Sequence, residues 1–415
     1  MTRPPPIRIL HVLEATAGGT RRHLRELVSS LPPASFHSSI ACAVSRDPSF
    51  EDDIRDYRAR GVDVHVVAMT RAPNPYRDVA ACIRLRDIVR STRCDVLHLH
   101  SAKAGLLGRI ASLGTRCPVI YAPHAFSFLE PSLWGKLAWV VERALASRTT
   151  LLWAVSRAEA ALAVARAGYS RDAVRIIPNT VDVEARVQGL GRPPGAASGQ
   201  RRLRIGFLGA LRAQKQPLLF LRAVRAMAQQ PHAEGALPHF FMPNVGPLFE
   251  AARELVERHR LGDRVTFVDT TRSLEPLYRE IDLGVLPSAY EGLPYALLDA
   301  LARGTPVIGS NIPVFAETLG RVDERLLSSA EEPAALAATM ALWASLPRSE
   351  LLRAGATGRA LVAAEYRSQD WVRAIAEMYE EVARRERAGR ASGSGVGALA
   401  GARSSASQAQ LANEC

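Results

Sequence analysis

"SAYEGLPYALLDALARGTPVIGS", residues 288–310, places Glu291 beside a Gly-Leu-Pro turn and a second acid, Asp299, two helical turns later. An apolar run lies between them. The preceding segment "DLGVLP" (282–287) has the unbroken apolar character of a strand covered on both faces, and "TPVIG" (305–309) repeats it. Pro294 suits the first turn of a helix that carries Asp299. Strand, turn, helix and strand in this order make a parallel unit, and ligands of such sheets sit beyond the carboxyl ends of the strands.

The same rhythm runs through most of the 415 residues. In the first half, residues 7–13, 38–44, 62–68, 95–100, 118–123 and 150–155 read as strands, and 19–31, 76–92, 103–114 and 156–167 as amphipathic helices. The stretch "ARVQGLGRPPGAASGQRR" (185–202) is rich in Gly, Pro, Ser and Arg and has no periodicity. The rhythm then restarts with strands at 203–209, 239–243, 264–269, 282–287 and 305–309. Helices close the chain at about 331–345, 349–364 and 368–387. The expected organisation is a Rossmann-like domain over 1–185, a linker over 186–202 and a second Rossmann-like domain over 203–367. A helix over 368–387 is expected to pack back toward the first domain, and a disordered tail fills 388–415.

Composition narrows the function classes. The net charge of +12 suits an anionic partner: nucleic acid, acidic lipid headgroups or a phosphate-bearing substrate. No nucleic-acid module accompanies the charge, so nucleic acid is not an expected partner. Cys42, Cys82, Cys94, Cys117 and Cys415 show neither a zinc-type spacing nor a Cys-x-x-Cys pair, which favours reduced thiols and a cytoplasmic location. The apolar run near the start is too short for a signal peptide. Lysine occurs only at Lys103, Lys136 and Lys215 among 53 basic residues. A retained lysine suits a place that needs a compact point charge.

Three strand ends offer ligand chemistry. Gly18 and Gly19 follow the first strand; such a pair serves either as a tight turn or as a place where backbone approaches a phosphate. Arg212 and Lys215 leave the strand at 203–209 and are either solvated loop cations or grips for a diphosphate. The helix after Pro294 brings unpaired N–H groups and about half a positive charge to the cleft. Glu291 reads as an acidic cap or as an acceptor for ligand hydroxyls. Asp299 stands among Leu297, Leu298, Ala300 and Leu301, so it belongs at a buried edge, where a carboxylate needs a partner. An anion site beside two hydroxyl acceptors fits a phosphate joined to a sugar.

The opening stretch resembles the signature of the family-4 retaining glycosyltransferases, whose fold is GT-B: two Rossmann-like α/β domains with parallel sheets facing across a cleft. "VLEATAGGTRRHLRELVSSL", "DVLHLHSAKAGLLGRIAS", "VIYAPHAFSF", "AVSRAEA", "IIPNTVD" and "GFLGALRAQKQP" resemble further blocks of that family in its order, over roughly residues 7 to 385. The resemblance implies a nucleotide-sugar donor, UDP- or GDP-linked, in the second domain and a saccharide or lipid-linked acceptor on the side of the first, with polysaccharide or glycolipid assembly as the setting. It implies that Glu291, with Gly292, Leu293 and Pro294, meets the donor sugar. Asp299 would hold the ribose, and Arg212 and Lys215 would neutralise the diphosphate. Gly18 and Gly19 would approach the diphosphate from the first domain, and His124 would sit near the anomeric centre. No cofactor and no metal are implied, and the chain contains no Asp-x-Asp.

Four positions depart from the pattern. Asp299 replaces the usual glutamate, and Ala210 stands where an arginine is usual. Thr180 replaces the glycine of Pro-Asn-Gly, and Asp269 stands where glycine often meets the base. Two other classes fit parts of the pattern, namely a non-hydrolysing sugar-nucleotide epimerase of the same fold and a degenerate sugar-nucleotide-binding protein.

The segment "PSLWGKLAWVVERALASR" (131–148) reads as a helix whose core face is Leu133, Leu137, Val140, Val141, Ala144 and Leu145. Trp139 then falls on the opposite side between Lys136 and Arg143, an arrangement suited to an acidic membrane surface. A peripheral position on the inner face of the membrane is the corresponding expectation.

Overall fold

The computed structural model describes residues 5–188, 202–230, 237–329 and 331–385. The expected tail and residues 189–201 of the expected linker lie outside them. The first lobe contains β1 (Ile7–Leu13), α1 (Gly19–Ser30), β2 (Phe36–Cys42), α2 (Phe50–Ala59), β3 (Asp63–Val66), α3 (Pro75–Thr92), β4 (Val96–His100), α4 (Ser101–Ala111) and β5 (Val119–Ala122). It continues with α5 (Leu133–Leu145), β6 (Leu151–Ala154), α6 (Arg157–Leu162), β7 (Val174–Ile176) and α7 (Val183–Gln188). Its seven strands run in the order β3-β2-β1-β4-β5-β6-β7, all parallel.

The second lobe contains β8 (Arg204–Phe207), α8 (Pro217–Ala228), β9 (His239–Pro243), α9 (Phe249–Arg258), β10 (Val265–Val268), α10 (Glu275–Glu280) and β11 (Leu283–Leu286). Then come α11 (Tyr295–Ala302), β12 (Val307–Ser310), α12 (Pro313–Thr318), β13 (Leu327–Ser328), α13 (Pro333–Ser345) and α14 (Arg348–Glu365). Its six parallel strands run β10-β9-β8-β11-β12-β13. Two parallel sheets of this order are the two Rossmann-like domains expected from the sequence. Proline opens α3, α8, α12 and α13, where the missing N–H would have had no helical partner.

A last helix, α15 (368–385), returns from the second lobe to the first. The Tyr379 hydroxyl lies 2.7 Å from His98 Nδ1 on β4, and both side chains are fully buried. Trp371 packs edge-on to His23, and Arg175 pairs with Glu381. One continuous apolar cluster accordingly runs from the second lobe through Trp371, Ile375 and Met378 to Ile9, Ile120 and Trp153 of the first. The lobes also meet where the backbone N–H groups of Arg157 and Ala158 donate to the Glu317 carboxylate, 3.2 and 3.0 Å away. An acid from one lobe thus satisfies the amide end of a helix in the other.

One sequence expectation is reversed. The apolar stripe of α5 faces outward: Leu133 is 81%, Trp134 60% and Val140 55% exposed. The inward face holds Gly135 and Glu142 instead. Arg109 on α4 donates to both Glu142 oxygens, at 2.7 and 3.0 Å, and the Tyr169 hydroxyl donates to Oε1 at 2.5 Å. A buried charge pair with complete hydrogen bonding fixes which side of α5 turns in, because either ion left alone would be strongly destabilising. Trp139 is occupied by the protein itself, its indole N–H donating to the Arg166 carbonyl at 2.8 Å. Arg143 lies over its ring, 5.4 Å from the centroid.

Removing the Tyr379 hydroxyl leaves buried His98 without its partner, a loss of about 1–3 kcal/mol. We expect Tyr379→Phe to lower the midpoint of the first transition in urea unfolding with no change in the folded far-ultraviolet spectrum. An unshifted midpoint would mean that this contact does not fasten α15.

Candidate active site

At the end of β8 the chain turns at Gly209, whose φ of +121° a side chain tolerates poorly. The stem of Lys215 lies beside it, 3.5 Å from where a Cβ would stand. Arg212 caps a short 3-10 turn (Ala213–Lys215) that leads into α8. The Lys215 ammonium pairs with the Glu291 carboxylate, both largely shielded from solvent. Gln214 fastens the two loops: its side-chain Nε2 donates to the Tyr290 carbonyl at 2.8 Å, and its main-chain carbonyl accepts from Ala289 N–H at 2.9 Å. The strand-end loops after β8 and β11 therefore form one rigid corner with a cation and a carboxylate at its tip.

Gly292 is required by close packing. A Cβ there would lie 3.0 Å from the Ala125 amide nitrogen and 3.0 Å from Val155 of the other lobe. The Glu-Gly-Leu-Pro turn thus docks directly on the loop after β5. Leu293 is buried, and its carbonyl accepts from Asn179 Nδ2 at 2.7 Å. Pro294 caps α11. Asp299, on α11, meets two cations: Arg22 Nη1 at 2.6 Å and Arg186 Nε at 2.8 Å. Arg22 comes from α1 and also lies over the Tyr295 ring, 4.2 Å from its centroid. The partner that a carboxylate at this buried edge needs is therefore an arginine 277 residues away in sequence.

From the first lobe, Gly18 caps α1 without a side-chain bond, and a Cβ on Gly19 would lie 3.5 Å from the Tyr295 ring. His124 and Ala125 both adopt left-handed backbone, with φ of 52° and 86°. Each such non-glycine residue costs on the order of 1–3 kcal/mol and persists where its surroundings enforce it. The enforcing group is Glu159, buried on α6. Its carboxylate accepts from Ala125 N–H at 2.7 Å and from Val155 N–H at 2.8 Å. Burial pushes the Glu159 carboxyl up to about 7, against the pull of those two amides. Burial also holds the His124 ring at about 4, so it is neutral at pH 7.

Behind His124 lies a cluster that the sequence reading did not foresee. His11, His23, His98, His100 and His124 stack and abut with ring centroids 4.0–5.9 Å apart. The signal was present in "ILHVL" and "VLHLH": alternation along β4 puts His98 and His100 on one face, and His11 is in register with His98 on β1.

Arg212 faces first-lobe charges. Burial, followed by repulsion from Arg46 and Arg71, lowers its pKa, and Glu14 opposes this. Arg46 itself clasps Glu14 at 2.8 and 2.7 Å. The buried hydroxyls of Thr16 and Ser288, each just past a strand end, have no hydrogen-bond partner. Asp269 is exposed and accepts from Thr271 N–H and Oγ1 at 3.0 and 2.8 Å. The geometry thus brings His124, Lys215, Glu291 and Gly292 to one locus, with Arg212 beside it. Asp299 stands apart in its arginine pair.

Comparison with known proteins identifies the family. The model of the glycosyl transferase 4-like domain matches residues 18–180, and that of the glycosyl transferases group 1 matches residues 202–345. Over 322 residues the chain is 26% identical to an Escherichia coli UDP-Gal:alpha-D-GlcNAc-diphosphoundecaprenol alpha-1,3-galactosyltransferase, covering 74% of this chain and 80% of that protein. It is 30% identical to the lipopolysaccharide core biosynthesis mannosyltransferase LpsB of Rhizobium meliloti over 43% of this chain and 52% of LpsB. The Anabaena Alr3699/HepE structure in complex with UDP and glucose superposes with a TM-score of 0.72 at 18% identity, over 90% of this chain and 100% of that one.

The Glu159 carboxyl is raised from 4.5 to about 7 in the folded protein. The folded state then binds more protons than the unfolded one between these values, so stability falls as pH rises through that window. We expect wild-type protein to lose stability relative to Glu159→Gln between about pH 4.5 and 7, read as the difference in melting temperature. Parallel curves would show that this carboxyl is not raised.

Proposed function

Because the chain belongs to the glycosyltransferases, carrying a glycosyl transferase 4-like domain followed by a group 1 domain, we propose that it moves a hexose with retention from a UDP- or GDP-linked donor to a lipid-linked saccharide. The observation that carries this reading is the Lys215–Glu291 pair at the meeting of two strand-end loops, facing the strained His124 turn. Each member of the pair has a use once a donor enters: the ammonium for the diphosphate, the carboxylate for sugar hydroxyls. Arg212 and the amides at the start of α11 add positive potential around the same diphosphate, which Gly18 and Gly19 approach from the other lobe.

The bond between the anomeric carbon and the phosphate oxygen breaks, and negative charge grows on the leaving diphosphate. Lys215 and Arg212 stabilise that charge. The acceptor oxygen bonds to the anomeric carbon on the same face, and its proton passes to the departing phosphate oxygen. No protein nucleophile takes part. Neutral His124 orients the sugar and the incoming hydroxyl. Asp299 holds the ribose by exchanging one arginine contact for the ribose hydroxyls.

The acceptor's lipid is met at a membrane surface. The outward stripe of α5 (Leu133, Trp134, Leu137, Val140) lies among Lys136, Arg143 and Arg148. On α3, Tyr76, Val79 and Ile83 are exposed at helical spacing. Both helices pack against α4. Apolar side chains ringed by cations suit an anionic bilayer. No helix among the described residues is long and apolar enough to cross a membrane, and the contact proposed is one at the bilayer surface.

Lys215→Ala is expected to lower kcat on the order of a hundredfold through loss of one preorganised donor, with the fold intact. Transfer at the wild-type rate would remove Lys215 from the mechanism. Wild-type protein should sediment with acidic liposomes at low salt and less at high salt, and Trp134→Ser with Leu137→Asp should abolish this. Equal binding by the double variant would place the membrane contact elsewhere.

A further inference from the structure

Half of the ten histidines converge in one buried cluster. Within it, one ring nitrogen from each of His23, His100 and His124 lies within 4.8 Å of the other two. His23 and His100 are fully buried. His23 Nδ1 is engaged by Asn179 Oδ1 at 3.2 Å, and His100 Nε2 by His11 Nδ1 at 3.3 Å. These contacts fix the rings and leave His23 Nε2 and His100 Nδ1 without a partner, and His124 Nε2 has none either. A buried ring nitrogen with no partner forfeits a hydrogen bond, and here each of the three neighbouring rings carries one.

We propose that His23, His100 and His124 form a site for a divalent transition metal ion of the zinc type, entered from the cleft past His124. Three imidazoles without a carboxylate suit zinc, copper or nickel and not calcium or magnesium. Tetrahedral ligands at about 2.0–2.1 Å from zinc stand about 3.4 Å apart, so small ring rotations close the site. His124 is the least buried of the three residues, so an ion would enter on its side. Asn179 and His11 stand as outer partners that orient the ligating rings, as second shells of metal sites do. Burial keeps the rings of His23 and His100 well below their ordinary pKa and so unprotonated, the form that ligates.

The consequence for activity rests on the function proposed above. An imidazole bound to metal is withdrawn from the sugar, so occupancy inhibits transfer and a chelator does not. The binding claim itself is independent of activity. Equilibrium dialysis of the full chain against Zn2+, and the visible spectrum with Co2+, test it directly.

We expect one equivalent of Zn2+ per chain and a tetrahedral Co2+ spectrum. Both should be lost in His23→Gln and in His100→Gln, and both kept in His239→Ala, with folding of each checked by circular dichroism. Asn179→Ala should weaken binding by about 10–100-fold, the usual effect of losing an outer partner. Folded wild-type protein that holds no stoichiometric Zn2+ would overturn the proposal. So would binding that survives His23→Gln but is lost in His98→Gln, which would assign the metal to His11, His98 and His100. Stoichiometric Zn2+ with unimpaired transfer would keep the site and remove His124 from the reaction.

Discussion

The contact between Gly292 and the loop at His124 and Ala125 is the constraint on which the rest depends. A Cβ at 292 would stand 3.0 Å from the Ala125 nitrogen, so even the smallest side chain there requires the loop of the other lobe to shift. The approach sets Glu291 and Lys215 opposite His124. It also places Tyr295, the first residue of α11, against His23 and Gly19 at the start of α1. Left-handed backbone at His124 and Ala125 is the local consequence, and Glu159 holds it with one carboxylate oxygen.

The charges follow from that closure. Asp299 is neutralised by Arg22 from across the gap and Arg186 from the segment joining the lobes. Glu291 is neutralised within its own lobe by Lys215. The two acids are thus held by different means, one as an inter-lobe latch and one as a local pair. A donor that takes hold of both must compete with both pairings. The Arg22 contact joins residues of the two lobes, so competition for Asp299 would act on a contact between them. The final helix supports the same geometry from behind, with Tyr379 and Trp371 buried against the histidines of the first sheet.

Much of the fold was readable because parallel strands covered on both faces leave unbroken apolar runs, as in "VLHLH" and "LGVL". The convergence of the loops after β8 and β11, with Lys215 against Glu291, was readable for the same reason: adjacent parallel strands bring their carboxyl ends together. Short or polar elements escaped. β7 has only three residues, and α2 begins Phe-Glu-Asp-Asp, with three acids in its first turn. The face of α5 was misassigned because an outward apolar stripe has the same period as an inward one. Only the distant Arg109, paired with Glu142, decides between them. Arg22 and Asp299 are likewise joined by folding alone. The histidine cluster was half visible in the alternation of β4, but His23 and His124 reach it from a helix and a loop.

The central claim is that one corner, built from the loops after β8 and β11, receives an activated sugar's diphosphate while the opposite lobe supplies His124. A crystal structure of the chain with UDP or GDP tests it most directly. The account predicts diphosphate oxygens within hydrogen-bonding distance of Lys215 Nζ and the first amides of α11, with Glu291 released from its lysine. Density for the nucleotide away from residues 209–215 and 288–299, with the Lys215–Glu291 pair unbroken, would contradict it.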